Sequence, residues 1–102
     1  MSEAANCLIL TACITELEVL RYTPAGVPAL NMRLEHGSSV TEAGQERQIK
    51  AAMKAVALGA MAERLARQAT GSVWKFSGFL ATPRNGKHVV FHIQEFLHHQ
   101  QV

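Results

Sequence analysis

Between Ser72 and Leu97 the chain alternates apolar and polar residues in two runs separated by a Pro/Asn/Gly break, a pattern that predicts a β-hairpin. In the first arm, residues 72–81, Trp74, Phe76 and Leu80 share one parity while Lys75 and Ser77 hold the other, as a half-buried strand requires. Gly78 interrupts the apolar parity. A glycine there predicts a bend, a bulge or a close backbone approach, which a small sheet needs in order to curl. Pro83-Arg-Asn-Gly86 predicts the hairpin tip, because Asn-Gly suits two consecutive residues with positive φ, and it leaves Arg84 and Lys87 in solvent. The second arm alternates Val89, Phe91 and Ile93 against His88, Val90 and His92, then runs on to Phe96 and Leu97.

Upstream, residues 6–14 are rich in strand formers and apolar on both parities, which predicts a central strand covered on both faces. Residues 15–20 set Glu16 and Glu18 against Leu17 and Val19, so the extended chain is expected to continue past a bend with its acids exposed. Arg21-Tyr-Thr-Pro-Ala-Gly26 reads as a turn carrying a cation and the single tyrosine. A second strand follows over residues 28–35, with Leu30, Met32 and Leu34 alternating against Asn31, Arg33 and Glu35. Residues 37–45 contain serines and Gly44 but no periodic apolar residue, and predict a flexible surface loop.

The stretch from Gln45 to Ala69 supports two readings. Ile49, Met53, Val56 and Ala60 recur at helical spacing among alanines, which gives one long helix broken near Gly59. Alternatively a strand runs through Val56, with Lys50 and Lys54 on one parity, and a helix follows from Leu58 to Gln68. In that helix Leu58, Met61 and Leu65 form a buried stripe, Arg64 and Arg67 occupy the last turns, and Gly71 stops it.

Composition narrows the class. A chain of 102 residues with 48% hydrophobic and 18% charged residues suits a single domain with a real core, residues 1–102, with flexible ends at 1–5 and 98–102. The formal net charge of +2 and a pI near 8.8 mildly favour an anionic partner such as nucleic acid. The apolar run from Cys7 to Ile14 is far short of the ~20 residues a membrane span needs and lacks a preceding basic residue, so a soluble, cytoplasmic protein with no membrane association is expected. Cys7 and Cys13 share a strand parity about 20 Å apart at ~3.3 Å per residue, too far for a disulfide, and are expected to be small buried thiols. The chain has no aspartate, no phosphate-binding glycine loop and no nucleophile elbow, so no enzyme is expected. The histidines at 88, 92, 98 and 99 lack metal-ligand spacing and read as solvated; neither metal nor other cofactor is expected.

Strand, strand, strand or helix, helix, hairpin is the order of a mainly β OB-fold, a five-stranded Greek-key barrel with one helix between strands three and four. The segments Asn6-Cys-Leu-Ile-Leu, Tyr22-Thr-Pro-Ala-Gly-Val-Pro28, Leu34-Glu-His36, Glu42-Ala-Gly44 and Gly71-Ser-Val-Trp-Lys-Phe-Ser-Gly-Phe-Leu80 together resemble the PriB family, primosomal replication protein N of bacteria. That family is related to bacterial single-stranded DNA-binding protein. The resemblance spans nearly the whole chain and implies that residues 47–56 are the third strand, against the helical periodicity. It implies a homodimer that binds single-stranded DNA in the replication-restart primosome and acts as a scaffold for the PriA helicase and helicase-loading partners. Matching positions for DNA contact are Arg21 and Tyr22 on the first loop, Arg33 on strand two, Arg47, Lys50 and Lys54 on strand three, and Arg84 and Lys87 at the hairpin tip.

The sequence departs from the family pattern at Lys50 and Gln45, where stacking aromatics are expected, and its hairpin loop is shorter and less basic. Lysine offers charge but no π-face, so ~1–3 kcal/mol per stacked base is absent at that position. This motivates the alternative of a protein-binding adaptor in which DNA contact has weakened or been lost. Tyr22 has two readings, a base-stacking platform or a cover for the barrel's end. Trp74 shares parity with Phe76 and Leu80 and is assigned to the core. Lys50 and Lys54 share a face with Gln48, near Glu35 and Glu46; a solvated face that keeps the sheet soluble is the alternative to the DNA contact assigned to them.

Overall fold

The structure, a computed structural model, describes residues 3–98. Its elements are β1 (Leu8–Leu17), β2 (Arg21–Tyr22), β3 (Pro28–Glu42), β4 (Gln45–Leu58), α1 (Ala60–Ala66), β5 (Val73–Ala81) and β6 (Val90–His98). The strands hydrogen-bond in the order β1-β5-β6-β4-β3-β2, and a further β1–β3 pairing closes the five long strands into a barrel. All pairings are antiparallel except β4–β6, where Ala55 and Val56 lie beside Phe91 and His92. This is the mainly β OB-fold architecture expected from the sequence, with α1 between the third and fourth barrel strands.

Period-two patterning builds the core. Ile14, Leu30, Leu34, Phe76 and Phe91 point inward from their strands, and Leu65 closes the barrel from α1; all six are essentially inaccessible to solvent. Two irregularities bend the sheet. In β1 the pairing steps from Ile14↔Leu34 to Glu16↔Arg33, so Thr15 is an extra residue and its hydroxyl donates to the Arg33 carbonyl at 3.2 Å. In β6 the pairing steps from Ser77↔Glu95 to Gly78↔Ile93, leaving Gln94 as the extra residue. This second bulge explains how Ile93 and Phe96, of opposite parity, are both buried. It also explains Gly78, where a Cβ would run into the His92 carbonyl and come within 3.1 Å of the Gln94 nitrogen.

The segment 45–58 is a strand throughout, paired with β3 from Ala29↔Leu58 to Glu42↔Gln45. The predicted loop at 37–45 is a correction: β3 continues to Glu42, turns through Ala43 (φ 53°) and Gly44 (φ 76°), and returns as β4. Two consecutive positive-φ residues match the twist of a tight hairpin turn. The arm stands clear of the barrel, both faces meet water, and so no apolar period marks it. With this arm the Cα radius of gyration is 14.9 Å, against ~13 Å for a compact chain of this length. His36 anchors its base: Nδ1 donates to the Thr11 carbonyl at 2.6 Å and Nε2 lies 2.8 Å from the Ser38 hydroxyl.

Four smaller expectations are corrected. The Asn-Gly pair is not a positive-φ tip; residues 82–89 form a longer exposed connection, with a turn in which the Gly86 N–H donates to the Pro83 carbonyl at 2.9 Å. The helix begins at Ala60 behind Gly59 (φ 72°), and Leu58 belongs to β4 and is exposed. Cys7 is exposed and Cys13 half-buried, both free, because they share the outward parity of β1 while Leu8, Leu10 and Ala12 face in. β1 is central in its pairing, but its outer face is open, with Ile9 59% exposed. At the ends, Asn6 is tied to Leu80 by two hydrogen bonds of 2.8 and 2.9 Å and His98 pairs with Trp74 in the ladder, whereas residues 1–2 and 99–102 lie outside the described residues.

Candidate nucleic-acid interface

The register of β3 against β4 sorts the predicted cations. Asn31↔Val56, Arg33↔Lys54, Glu35↔Ala52, Gly37↔Lys50 and Ser39↔Gln48 are the outward-facing pairs, so Arg33 and Lys54 are direct neighbours and Lys50 lies farther along the same face. Glu35 lies diagonally between the two lysines. Arg47 pairs with Val40 on the reverse face of the arm, where its guanidinium meets Glu42 at 3.1 Å in an exposed ion pair. The structure therefore separates Arg47 from Lys50 and Lys54, a consequence of odd against even position.

The loop after β1 brings in Arg21. Thr23 fixes this turn: its N–H donates to the Val27 carbonyl at 2.9 Å, its carbonyl accepts from Gly26 at 2.8 Å, and its hydroxyl accepts from Val27 at 3.1 Å. Gly26 takes the positive φ of 85° that the reversal requires. β2 is thereby laid along the start of β3, with Arg21 opposite Ala29 on the side of Asn31, whose Oδ1 it approaches at 3.4 Å. Tyr22 faces the other way, opposite Pro28, and is 62% exposed.

These elements enclose a groove of about 680 Å³. Its floor is Asn31, Met32, Ala55 and Val56; its cations are Arg21, Arg33 and Lys54; and Thr82, Pro83, Val90 and His92 form the opposite wall. Glu16 and Glu18 also line it, so the groove is mixed in charge with cations in excess. The base of the 82–89 connection thus borders the same groove, and Arg84 and Lys87 sit exposed farther out on it. Tyr22, Lys50 and Arg47 lie outside the lining.

Trp74 is placed as expected, half-buried and packed edge-on against Phe96 with centroids 5.0 Å apart, its Nε1 donating to the Ser72 hydroxyl at 2.9 Å. Sequence reasoning missed its surroundings: Arg64 of α1, Arg67 at its C-cap and His98 of β6 gather around it in a second cavity. No local pattern joins a helix face to two distant strands. Among the described residues, no three side chains of histidine, cysteine or acid stand where they could hold a metal ion. No helix is long and apolar enough to cross a membrane.

Residues 6–95 match a family described as another single-strand binding protein family. Replication restart protein PriB of Bordetella pertussis is 42% identical over 91 residues, covering 88% of this chain and 85% of that protein. The PriB of Nitrosomonas europaea is 35% identical over a similar span, with 84% of its length covered. Among solved structures, PriB from Ralstonia solanacearum superposes with a TM-score of 0.87 at 44% identity, covering 95% of this chain and 100% of that one. The single-stranded DNA binding protein from Thermus aquaticus reaches 0.72 over 91% of this chain and 50% of its own, at 23% identity, a likeness of fold.

Proposed function

The chain belongs to the PriB family of replication restart proteins, and from that membership we propose that it binds single-stranded DNA as an accessory protein of the replication-restart primosome. The observation that carries this reading is the Arg33–Lys54 pair on the outward face of β3 and β4, with Arg21 in the same groove. In OB-folds this face and its two bordering loops are where oligonucleotides bind. Phosphates lie along Arg21, Arg33 and Lys54, with Lys50 extending the path toward the arm. Arg84 and Lys87 approach from the 82–89 connection. Arg47 reaches a strand only where it passes over the arm's tip. Among the described residues the exposed Phe, Tyr or Trp ring is Tyr22, which adjoins Arg21 but faces away from the groove, so charge contributes more than stacking.

The protein acts without catalysis, as a one-domain cytoplasmic scaffold that holds the strand for the PriA helicase and helicase-loading partners. It works as a homodimer. Ile9, Val73 and Leu97, 59%, 45% and 53% exposed, all point outward from the β1-β5-β6 face and support that state, because a second copy gives this apolar surface a dry partner.

The test is fluorescence anisotropy of a labelled oligothymidine at several salt concentrations, with a duplex control and the mass measured by light scattering. Micromolar or tighter binding that prefers single strands and weakens with salt is expected, at a log–log slope of about −0.7 per phosphate contact. Absence of binding at low salt would refute the DNA-binding reading, and a monomeric mass would refute the dimer.

A further inference from the structure

The cavity beside α1 differs from the groove in one respect: among the described residues no carboxylate lines it. About 410 Å³ in volume, it is bounded by Arg64 on the helix, by Arg67 and Gln68 just after it, and by Trp74, Leu97 and His98 on β5 and β6, above Phe96. Arg64 lies in the last turn of α1 and Arg67 is its C-cap, and both line the cavity. Arg64 is held in place, its Cζ stacked 4.9 Å from the centroid of the Phe96 ring. Stacking engages the flat face of a guanidinium and leaves its N–H edges free to fork onto an anion. Among the described residues the ion pair is Arg47–Glu42, on the far arm, so none of their carboxylates occupies these edges.

The helix C-terminus alone favours cations there, and that accounts for some of the charge. It does not account for the aromatic floor or the apolar rim. Trp74 and Phe96 pack against each other, and His98 lies over Trp74 with centroids 4.8 Å apart, so these rings are already in use as partners. A nucleotide needs a free ring face, whereas an acidic peptide needs guanidinium edges and an apolar seat. The half-buried edge of Trp74 offers that seat, on the side of β5 and β6 opposite the outward-facing Leu97.

We propose that the Arg64–Arg67–Trp74 cavity is a docking site for an acidic peptide segment that carries a hydrophobic side chain. Its carboxylates fork onto Arg64 and Arg67, and its apolar side chain lies against the edge of Trp74. The inference rests on the scaffold reading above and gives it a surface distinct from the DNA groove.

The experiment titrates the full chain with a fluorescein-labelled octapeptide of alternating aspartate and phenylalanine, with the same peptide carrying asparagine for aspartate, and with labelled oligothymidine. Binding of the acidic peptide but not its amide counterpart is expected. It should weaken about tenfold or more in Arg64→Glu and Arg67→Glu, since each loses a charge-assisted contact and gains repulsion. Oligothymidine affinity should change less than twofold in the same variants. Thermal melting checks that they fold, and Arg64→Lys, which keeps the charge but not the fork, should bind the peptide at intermediate strength. A peptide that fails to bind the wild-type chain, or binds the variants equally well, overturns the site. A loss of oligothymidine binding in Arg64→Glu and Arg67→Glu without loss of peptide binding reassigns these arginines to the DNA path. Failure of oligothymidine to bind the wild-type chain rejects the DNA-binding reading and leaves the peptide result to be judged by itself.

Discussion

Neutralising Arg33 and Lys54 together, as Arg33→Gln with Lys54→Gln, isolates the electrostatic contribution of the groove. The two side chains are opposite each other across β3 and β4, and neither belongs to an ion pair among the described residues, so the change strands no salt-bridged carboxylate. It also relieves like charges held side by side, and stability should not fall. For a single strand each phosphate contact contributes about 0.7 to the slope of log K against log salt. Measured from a ~1 M reference, one contact is then worth about fivefold at ~0.1 M salt, and two are worth about 25-fold, or ~1.9 kcal/mol. Anisotropy with labelled oligothymidine between ~50 and ~400 mM salt should show both the lower affinity and a slope shallower by about 1.4. Arg47→Gln, on the reverse face of the arm, should alter the slope by less than half as much. A double variant with the wild-type slope refutes the argument, whatever its affinity, because counterion release is the signature of a phosphate contact and loss of packing does not mimic it.

Other substitutions read the fold and the path separately. Gly78→Ala should cost ~3 kcal/mol or more in chemical denaturation, because the new Cβ meets backbone of the β6 bulge rather than a side chain that can turn away; an unchanged midpoint would show that the bulge is not fixed. Leu65→Ala should cost ~2–5 kcal/mol by opening a cavity where α1 seals the barrel, seen as a lower Tm with the β-sheet circular dichroism retained. Tyr22→Ala should leave the Tm unchanged and weaken oligothymidine binding by ~1 kcal/mol, the low end for a stacked base, since the exposed ring adjoins Arg21 but faces away from the groove and meets only a strand that runs on past β2; equal affinity would assign Tyr22 to the barrel's end.

The parts of the fold legible in the sequence are those where period and burial coincide. Phe76, Phe91 and the parity of β3 announce themselves because their inward residues are large and many of the outward ones are polar. β4 hides its period. Its inward positions are Ile49, Ala51, Met53, Ala55 and Ala57, and its outward ones include Ala52 and Val56, so small residues fall on both parities and the larger ones land by accident at helical spacing. Only pairing with β3 fixes the segment as a strand, and that information is not local. The arm is illegible for the opposite reason: it buries nothing, and its turn uses Ala43-Gly44 rather than a strongly coded Asn-Gly. Conversely Asn85-Gly86 carries the code without the geometry, because the connection is longer than a two-residue tip.

The cations show the same division. Their identities and the separation of Arg47 from Lys50 follow from sequence parity alone. That Arg33 meets Lys54, and that Arg21 joins them, requires the register of three strands. A net charge of +2 drawn from ten cations and eight acids conceals this arrangement. Glu16 and Glu18 sit within the groove and dilute its field, while the α1 cavity holds Arg64 and Arg67 with no acid among the described residues of its lining. A polyanion that must slide or be handed on is better served by a diluted groove, where no single contact dominates the off-rate. A short acidic segment, with few charges to offer, needs an undiluted pair of guanidinium groups and an apolar seat. The two surfaces thus suit two ligands that differ in length more than in sign, which is the arrangement a scaffold requires if its partners are not to compete for one site.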